Sequence, residues 1–276
     1  MQKIIYTKDI SKYKKQIDQS IISHIEEGLV ETFEDFGTYI LAAFDWYDIY
    51  NAEQEPSQMI VYFDDDDLFI ICENDYSYSA AVRCFSETDA NEKTLFLFFK
   101  NLFRGDTKNL EKIEDRISVM DDRTIDGKGD GIREDIVDVR YELLTLKKYY
   151  DQFGPIFEEF SDNDNALLSD RYTDLFEILK NRNDKRLSTV LNLREYIAQV
   201  RESYQAQIDI EQNRIMKVFT LVTSIFLPLS LVAGWYGMNL RMPEYSAIYA
   251  YPVLIGVCAA VCAVWFVVFR KKGWFK

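Results

Sequence analysis

Leu227-Pro228-Leu229-Ser230-Leu231-Val232-Ala233-Gly234-Trp235-Tyr236-Gly237-Met238-Asn239 closes an uncharged run that opens at Val218 and lasts 23 residues, to Leu240. A second uncharged run, Tyr245–Phe269, lasts 25. A helix needs about 20 apolar residues to cross roughly 30 Å of hydrocarbon, so each run predicts a transmembrane helix. The competing reading is a pair of buried helices in a soluble core. Core helices of that length keep a polar face, and neither run has one.

Charge orients the spans. Arg214 and Lys217 precede the first; Arg270, Lys271, Lys272 and Lys276 follow the second; only Arg241 lies between them. Lys and Arg gather on the cytosolic side of short loops. Both termini are therefore expected in the cytosol, with the chain in the plasma (inner) membrane and a short external loop over 241–247. Met1–Lys15 lacks the apolar stretch of a signal peptide. So small an external part excludes a receptor for a large outside ligand.

Of the 32 Lys/Arg and 46 Asp/Glu residues, seven and one lie beyond residue 212, so the first 212 carry 25 and 45, a net of −20. That balance excludes nucleic-acid binding, which needs basic patches. It suits either a cation sensor or an ordinary solubilising surface. Cys72, Cys84, Cys258 and Cys262 form no CxxC motif, and two sit inside the second span, so they read as reduced thiols. The sole histidine, His24, has no Cys or His company for zinc.

The soluble part divides by its periodicity. Residues 1–105 read as an α/β domain: a helix over Ser20–Phe33, strands at Tyr39–Phe44, Met59–Phe63 and Leu68–Cys72, a turn at Asp64–Asp67, and a helix over Leu95–Phe103. Residues 106–186 read as a helical region whose clear elements are two helices, Lys108–Arg123 and one from Ile132 through Tyr150. The loop between them, Asp126-Gly127-Lys128-Gly129-Asp130-Gly131, is not a calcium loop: Lys128 fills a ligand position and Val137 stands where a bidentate Glu belongs. From Leu187 the apolar stripe Val190, Leu191, Ile197, Val200, Tyr204, Ile208, Ile215 meets no Gly or Pro until Pro228, predicting one helix over 187–240 that serves as stalk and first span. Such a helix cannot bury its stripe alone and implies a bundle of identical stalks. The segment 248–276 is the second span with a basic tail.

The end of the first span, Tyr236-Gly237-Met238-Asn239, is followed by Met242-Pro243-Glu244, a second span and Arg270-Lys271-Lys272-Gly273-Trp274. This order resembles the CorA family of magnesium channels, most clearly over residues 187–276. The resemblance implies a funnel-shaped homopentamer of mixed α+β soluble domains and helical membrane segments, with the first span lining a pore. It further implies a transporter of Mg²⁺, with Co²⁺ and Ni²⁺ as secondary passengers, and not an enzyme. No resident cofactor is expected; Mg²⁺ is both cargo and regulator, and the partners are further copies of the chain and the lipid bilayer. Gly237, Met238 and Asn239 are the expected selectivity filter.

Chemistry supports that assignment. Mg²⁺ sheds its water reluctantly, and neutral amide oxygens can hold a hydrated ion and release it where a carboxylate ring would trap it. The plainer reading of Gly237 and Asn239 is a helix cap. Below them Gly234, Ser230, Leu227, Thr223, Thr220, Met216 and Asn213 follow at steps of three and four as pore-lining candidates. Met216 and Phe219 match constricting positions of the family. The hydroxyls at 220, 223 and 230 read alternatively as contacts between membrane helices. Pro228 is expected to kink the span. Gly256, Ala259, Ala260 and Ala263 offer a small-residue face for docking.

Glu244 is the one acid of the external loop, and Arg241 stands where family members often carry acids. For regulation by cytosolic Mg²⁺ the candidates are Asp174 and Asp184 on the stalk side and Asp89 or Asp64–Asp67 on the domain side, each equally readable as a solvated surface acid. Two rivals stay open: a zinc or other divalent-metal transporter on the same scaffold, and a non-conducting, membrane-anchored binding protein.

Overall fold

The computed structural model describes residues 1–49, 54–125, 127, 131–238 and 248–271. They form two compact units, residues 1–203 and 204–276.

The first unit is built on a five-stranded sheet of order β1-β5-β4-β3-β2. Its strands are β1 (Gln2–Tyr6), β2 (Phe33–Asp35), β3 (Tyr39–Trp46), β4 (Ser57–Asp64) and β5 (Leu68–Cys72). β1 runs parallel to β5, with Gln2 opposite Leu68; every other pair is antiparallel. The central three are the strands expected from their apolar runs. β1 and β2 are too short to show a period, and their pairing with a formed neighbour makes them strands. The β4–β5 turn follows from Asp64, whose Oδ1 accepts the backbone N–H of Asp66 at 2.8 Å and of Asp67 at 2.6 Å.

Strand alternation sends Ile5, Leu41, Ala43, Ile60, Tyr62, Phe69 and Ile71 to one face, where they pack on Ile10, Ile17 and the helix α1 (Gln19–Glu26). That helix stops well short of Phe33. Gly28 sits just past its end at φ +68°, a left-handed position glycine adopts without a Cβ penalty. Helix α2 (Asp75–Cys84) was not anticipated, since its apolar stripe is only Ala80 and Ala81. A capping box of Asn74 and Ser77 starts it.

The opposite face is aromatic. Phe99 of α3 (Asn91–Leu102) is fully buried, with ring centroids 5.7 Å from Phe44, 5.4 Å from Phe157, 6.0 Å from Phe160 and 6.2 Å from Phe176. These rings come from the sheet, from α6 (Phe153–Asp162) and from α7 (Asp170–Tyr236). The cluster locks sheet to helices.

α4 (Asp106–Ile125) and α5 (Ile132–Asp151) form the expected antiparallel hairpin. Arg116 meets Glu142 at 2.7 Å and Arg123 meets Asp135 at 2.9 Å across it. A third helix follows: α6 is separated from α5 only by Gln152, and Pro155 sits in its first turn, where the missing N–H leaves no bond unmade.

α7 begins at Asp170, ahead of the stripe that becomes legible at Leu187. Asn163 fixes its approach, accepting the Leu168 N–H at 2.9 Å and donating to the Leu168 carbonyl at 2.7 Å. Ser169 adds a hydroxyl and an N–H to Glu92 Oε2, each at 2.7 Å. The buried stripe of α7 runs Phe176, Leu179, Asn183, Val190, Leu193, Ile197, Val200. A polar Asn183 and a half-buried Arg186 fill two of its steps, which hides the early part from a count of apolar residues.

The second unit holds the rest of α7 and α8 (Ala250–Lys271). No residue is buried in the most apolar 18-residue stretch of α7, and only 6% are in that of α8. A soluble core helix would be covered on most sides. These helices present apolar surface outward, as membrane spans do.

Candidate ion pathway and cytosolic acidic sites

At 100° per residue, Asn213, Met216, Thr220, Thr223, Leu227, Ser230 and Gly234 fall within an arc of roughly 100° on α7. Most of the arc is uncovered within one chain: Met216 is 60% exposed and Leu227 74%, and Phe219, on its edge, is 63% exposed, while Thr220 and Thr223 are half-covered. The half-covered residues Leu221, Ser224, Ile225, Pro228 and Val232 lie on another side of the helix. On α8 the half-covered stripe is Leu254, Cys258, Val261, Cys262 and Trp265, so the expected docking face of Gly256, Ala259, Ala260 and Ala263 is open in the single chain.

The hydroxyls of the arc are not alike. Thr220 Oγ1 donates to the Met216 carbonyl at 2.7 Å; Thr223 Oγ1 donates to those of Phe219 at 2.9 Å and Thr220 at 3.2 Å. Each spends its proton on its own helix, so its oxygen can act toward other groups only as an acceptor. An acceptor oxygen suits the water shell of a cation. Ser230 is exposed and makes no hydrogen bond among the described residues, so it keeps both donor and acceptor.

α7 continues through Pro228, where the absent N–H leaves the Ser224 carbonyl without its helical partner. At the helix end the Gly237 N–H binds the Ala233 carbonyl at 2.9 Å and the Met238 N–H that of Trp235 at 3.4 Å. A Cβ on Gly237 would stand 3.0 Å from the Ala233 oxygen. Glycine is favoured there by the close approach of a carbonyl, and not by a left-handed φ, since the φ of Gly237 is not positive. Met238 is 49% exposed beyond it. The other filter candidate, Asn239, and the loop candidates Arg241 and Glu244 lie outside the described residues, as does Lys272 with the rest of the tail.

The regulatory candidates fall into two groups. Asp64, Asp65, Asp66 and Asp89 share one hollow of about 490 Å³ with Glu87 and Glu92, two acids the sequence reading passed over. The fourth acid of the turn, Asp67, meets the Met1 ammonium at 2.8 Å. Asp89 meets Lys93 at 3.1 Å, and that hydrogen bond holds its carboxyl below the usual carboxylate range. Asp174 and Asp184 are exposed on α7. Among the described residues of one chain, no three His, Cys, Asp or Glu side chains are grouped closely enough to hold a metal ion.

Two uncovered apolar helices of membrane-spanning length, following an α/β unit in the chain, mark an integral membrane protein. The family model described as CorA-like Mg²⁺ transporter protein matches residues 14–271, and the chain belongs to that family, one of transporters and not of enzymes. A cobalt/magnesium transport protein CorA of Thermotoga maritima is 26% identical over 166 residues, 60% of this chain and 47% of that protein. A magnesium transport protein CorA of Haemophilus influenzae is 50% identical over 68 residues, 24% of this chain and 22% of that one. The aligned segments thus span half or less of these relatives' own lengths. The complete structure of the CorA magnesium transporter from Methanocaldococcus jannaschii superposes with a TM-score of 0.78 at 18% identity, covering 99% of this chain and 90% of that one. That likeness establishes the fold: a soluble α/β domain, a long helix and a C-terminal apolar helix.

Proposed function

We propose that this chain forms a homopentameric, funnel-shaped channel that admits Mg²⁺, with Co²⁺ and Ni²⁺ as weaker passengers, across the plasma (inner) membrane. Five copies of α7 line the pore and α8 faces lipid. Both termini are cytosolic, as the Lys and Arg flanking the spans favour. The observation that carries the reading is the largely uncovered arc of α7, which mixes hydroxyl groups with large apolar side chains and precedes Gly237-Met238-Asn239 in the chain. An arc of that composition suits neither lipid nor bulk water. It suits a narrow, wetted axis shared by several copies.

In this reading the Asn239 ring receives the hydrated ion, accepting hydrogen bonds from its water. The membrane potential then drives it inward with about 4.6 kcal/mol per 100 mV, twice the value for a single charge. It passes Ser230, Thr223 and Thr220, and the apolar side chains of Met216 and Phe219 close the pore by dewetting when the subunits draw together. Mg²⁺ on the cytosolic side bridges acids of adjacent subunits, with Asp89 and Asp64–Asp66 on one and Asp174 and Asp184 on the next. Among the described residues a single chain supplies too few ligands at one point, so in this reading the ion binds where two surfaces meet. Losing it restores like-charge repulsion and opens the gate.

The test is Mg²⁺ entry into proteoliposomes loaded with a Mg²⁺-sensitive dye, at inside-negative potential, with wild type beside Asn239→Ala. Entry in the wild type that is lost in the variant is the expected result. No entry in folded wild type at low internal Mg²⁺ would refute the channel. Equal entry in both would refute the filter assignment alone. Zn²⁺, Co²⁺ and Ni²⁺ added as competitors rank the ions in the same vesicles.

A further inference from the structure

A groove of about 490 Å³ lies between α4 and α7 in the first unit. Glu111 and Glu114 line it from α4, Arg182 and Lys185 from α7, and Leu110 and Thr189 add an apolar and a small side chain. All four charged side chains are exposed, and none forms an ion pair among the described residues. One rim is thus acidic and the other basic, and the two do not meet across the gap. Rims of that kind fit an element that carries a basic flank, an apolar centre and an acidic flank.

The outer face of α5 is such an element. Val137, Tyr141 and Leu144 are 56%, 69% and 41% exposed. They recur at steps of four and three, which makes one stripe on a helix that already buries Ile136, Val139, Leu143 and Leu146 on another side. At 100° per residue Arg133 and Arg140 fall about 40–60° to one side of Val137, and Glu134 and Asp138 about 60–100° to the other. These four are exposed too, and none forms an ion pair among the described residues. An anionic lipid surface would favour bases on both flanks of the stripe, and the acidic flank excludes it.

We infer that the outer face of α5 of one copy docks in the α4–α7 groove of the next. Arg133 and Arg140 then meet Glu111 and Glu114, Glu134 and Asp138 meet Arg182 and Lys185, and Tyr141 covers Leu110. The inference rests on the homo-oligomer proposed above and names two surfaces that build it. The two surfaces differ, so the contact is heterologous: each copy gives α5 to one neighbour and its groove to the other. Spans held in one membrane keep the copies in one plane, so repetition closes a ring and not a filament. The contact also ties the α4–α5 hairpin of one copy to the α7 of its neighbour.

The test is disulfide cross-linking of the full-length protein in membranes, with Tyr141→Cys and Thr189→Cys combined, oxidised by copper phenanthroline and resolved by denaturing electrophoresis. The double variant should give a ladder of covalent multimers, and each single variant only monomer. Reversing the acidic rim with Glu111→Arg/Glu114→Arg should lower the cross-linked fraction several-fold, and adding Arg133→Glu/Arg140→Glu should restore it; unchanged melting temperatures check that the variants fold. No ladder in a double variant that glutaraldehyde shows to be oligomeric would overturn the inference and leave the oligomer standing. Monomer with both reagents would overturn the oligomer as well. Multimers from Tyr141→Cys alone would reveal a two-fold contact and overturn the head-to-tail docking, and a ladder unmoved by the charge reversal would overturn the pairing of the rims.

Discussion

Asp106→Asn isolates one ionisation in the buried joint of the soluble unit. Burial pushes the Asp106 carboxyl up to about 6, against the smaller opposing effects of the Tyr150 hydroxyl that donates to it and the Arg186 charge. A raised carboxyl means that the folded chain holds the proton more tightly than the unfolded one. The group costs nothing below the unfolded value of 3.8. Its cost builds as pH rises from about 4 to 6 and is fully present above that range. Two units at 1.36 kcal/mol each amount to about 3 kcal/mol. Asparagine has the shape of the neutral acid, keeps an oxygen for Tyr150, and carries no charge at any pH. The variant should therefore be more stable than wild type at pH 7.5 by up to about 3 kcal/mol, which is several degrees in melting temperature. That advantage should shrink towards zero at pH 4. Melting of both proteins, followed by intrinsic fluorescence from pH 4 to 8 at fixed Mg²⁺, measures the difference directly. A variant less stable at pH 7.5, or a difference that does not change with pH, would refute the reasoning by showing that ionised Asp106 is well solvated or fully paired.

Phe99→Ala removes the ring shared by sheet, α6 and α7, and should cost about 3–5 kcal/mol, the range for truncating a buried Phe; a melting temperature within a degree of wild type would contradict the packing account. Gly237→Ala sets a methyl 3.0 Å from the Ala233 carbonyl, which must give by a few tenths of an ångström at the helix end; Mg²⁺ entry in the vesicle assay should fall several-fold while the melting temperature of the soluble unit holds, and unaltered entry would refute a tight steric demand at this position.

Much of the molecule was readable residue by residue because its signals are local. Two uncharged runs longer than a bilayer is thick read as two spans, and the bare surfaces of α7 and α8 agree. Leu68–Cys72, five apolar residues between turn formers, reads as a buried strand and is one. The α4–α5 hairpin followed from Ile136, Val139, Leu143 and Leu146 at helical spacing. The order Gly-Met-Asn, Met-Pro-Glu and a basic tail carried the family, since those residues lie close together along the chain.

What required the tertiary structure was whatever depends on partners far apart in sequence. β1 is a strand because β5, 66 residues on, supplies its hydrogen bonds at Gln2 and Leu68. The start of α7 at Asp170 depends on Phe176 meeting Phe99 and Phe160, and on Glu92 holding Ser169. Asp64–Asp66 and Asp89 were separate suspicions in the sequence; folding places them around one hollow. The groove between α4 and α7 had no sequence signature at all, since its two rims lie on helices far apart in the chain. Spans and family follow from composition and order along the chain, which sequence records. Sites follow from distance in space, which only the packed structure provides.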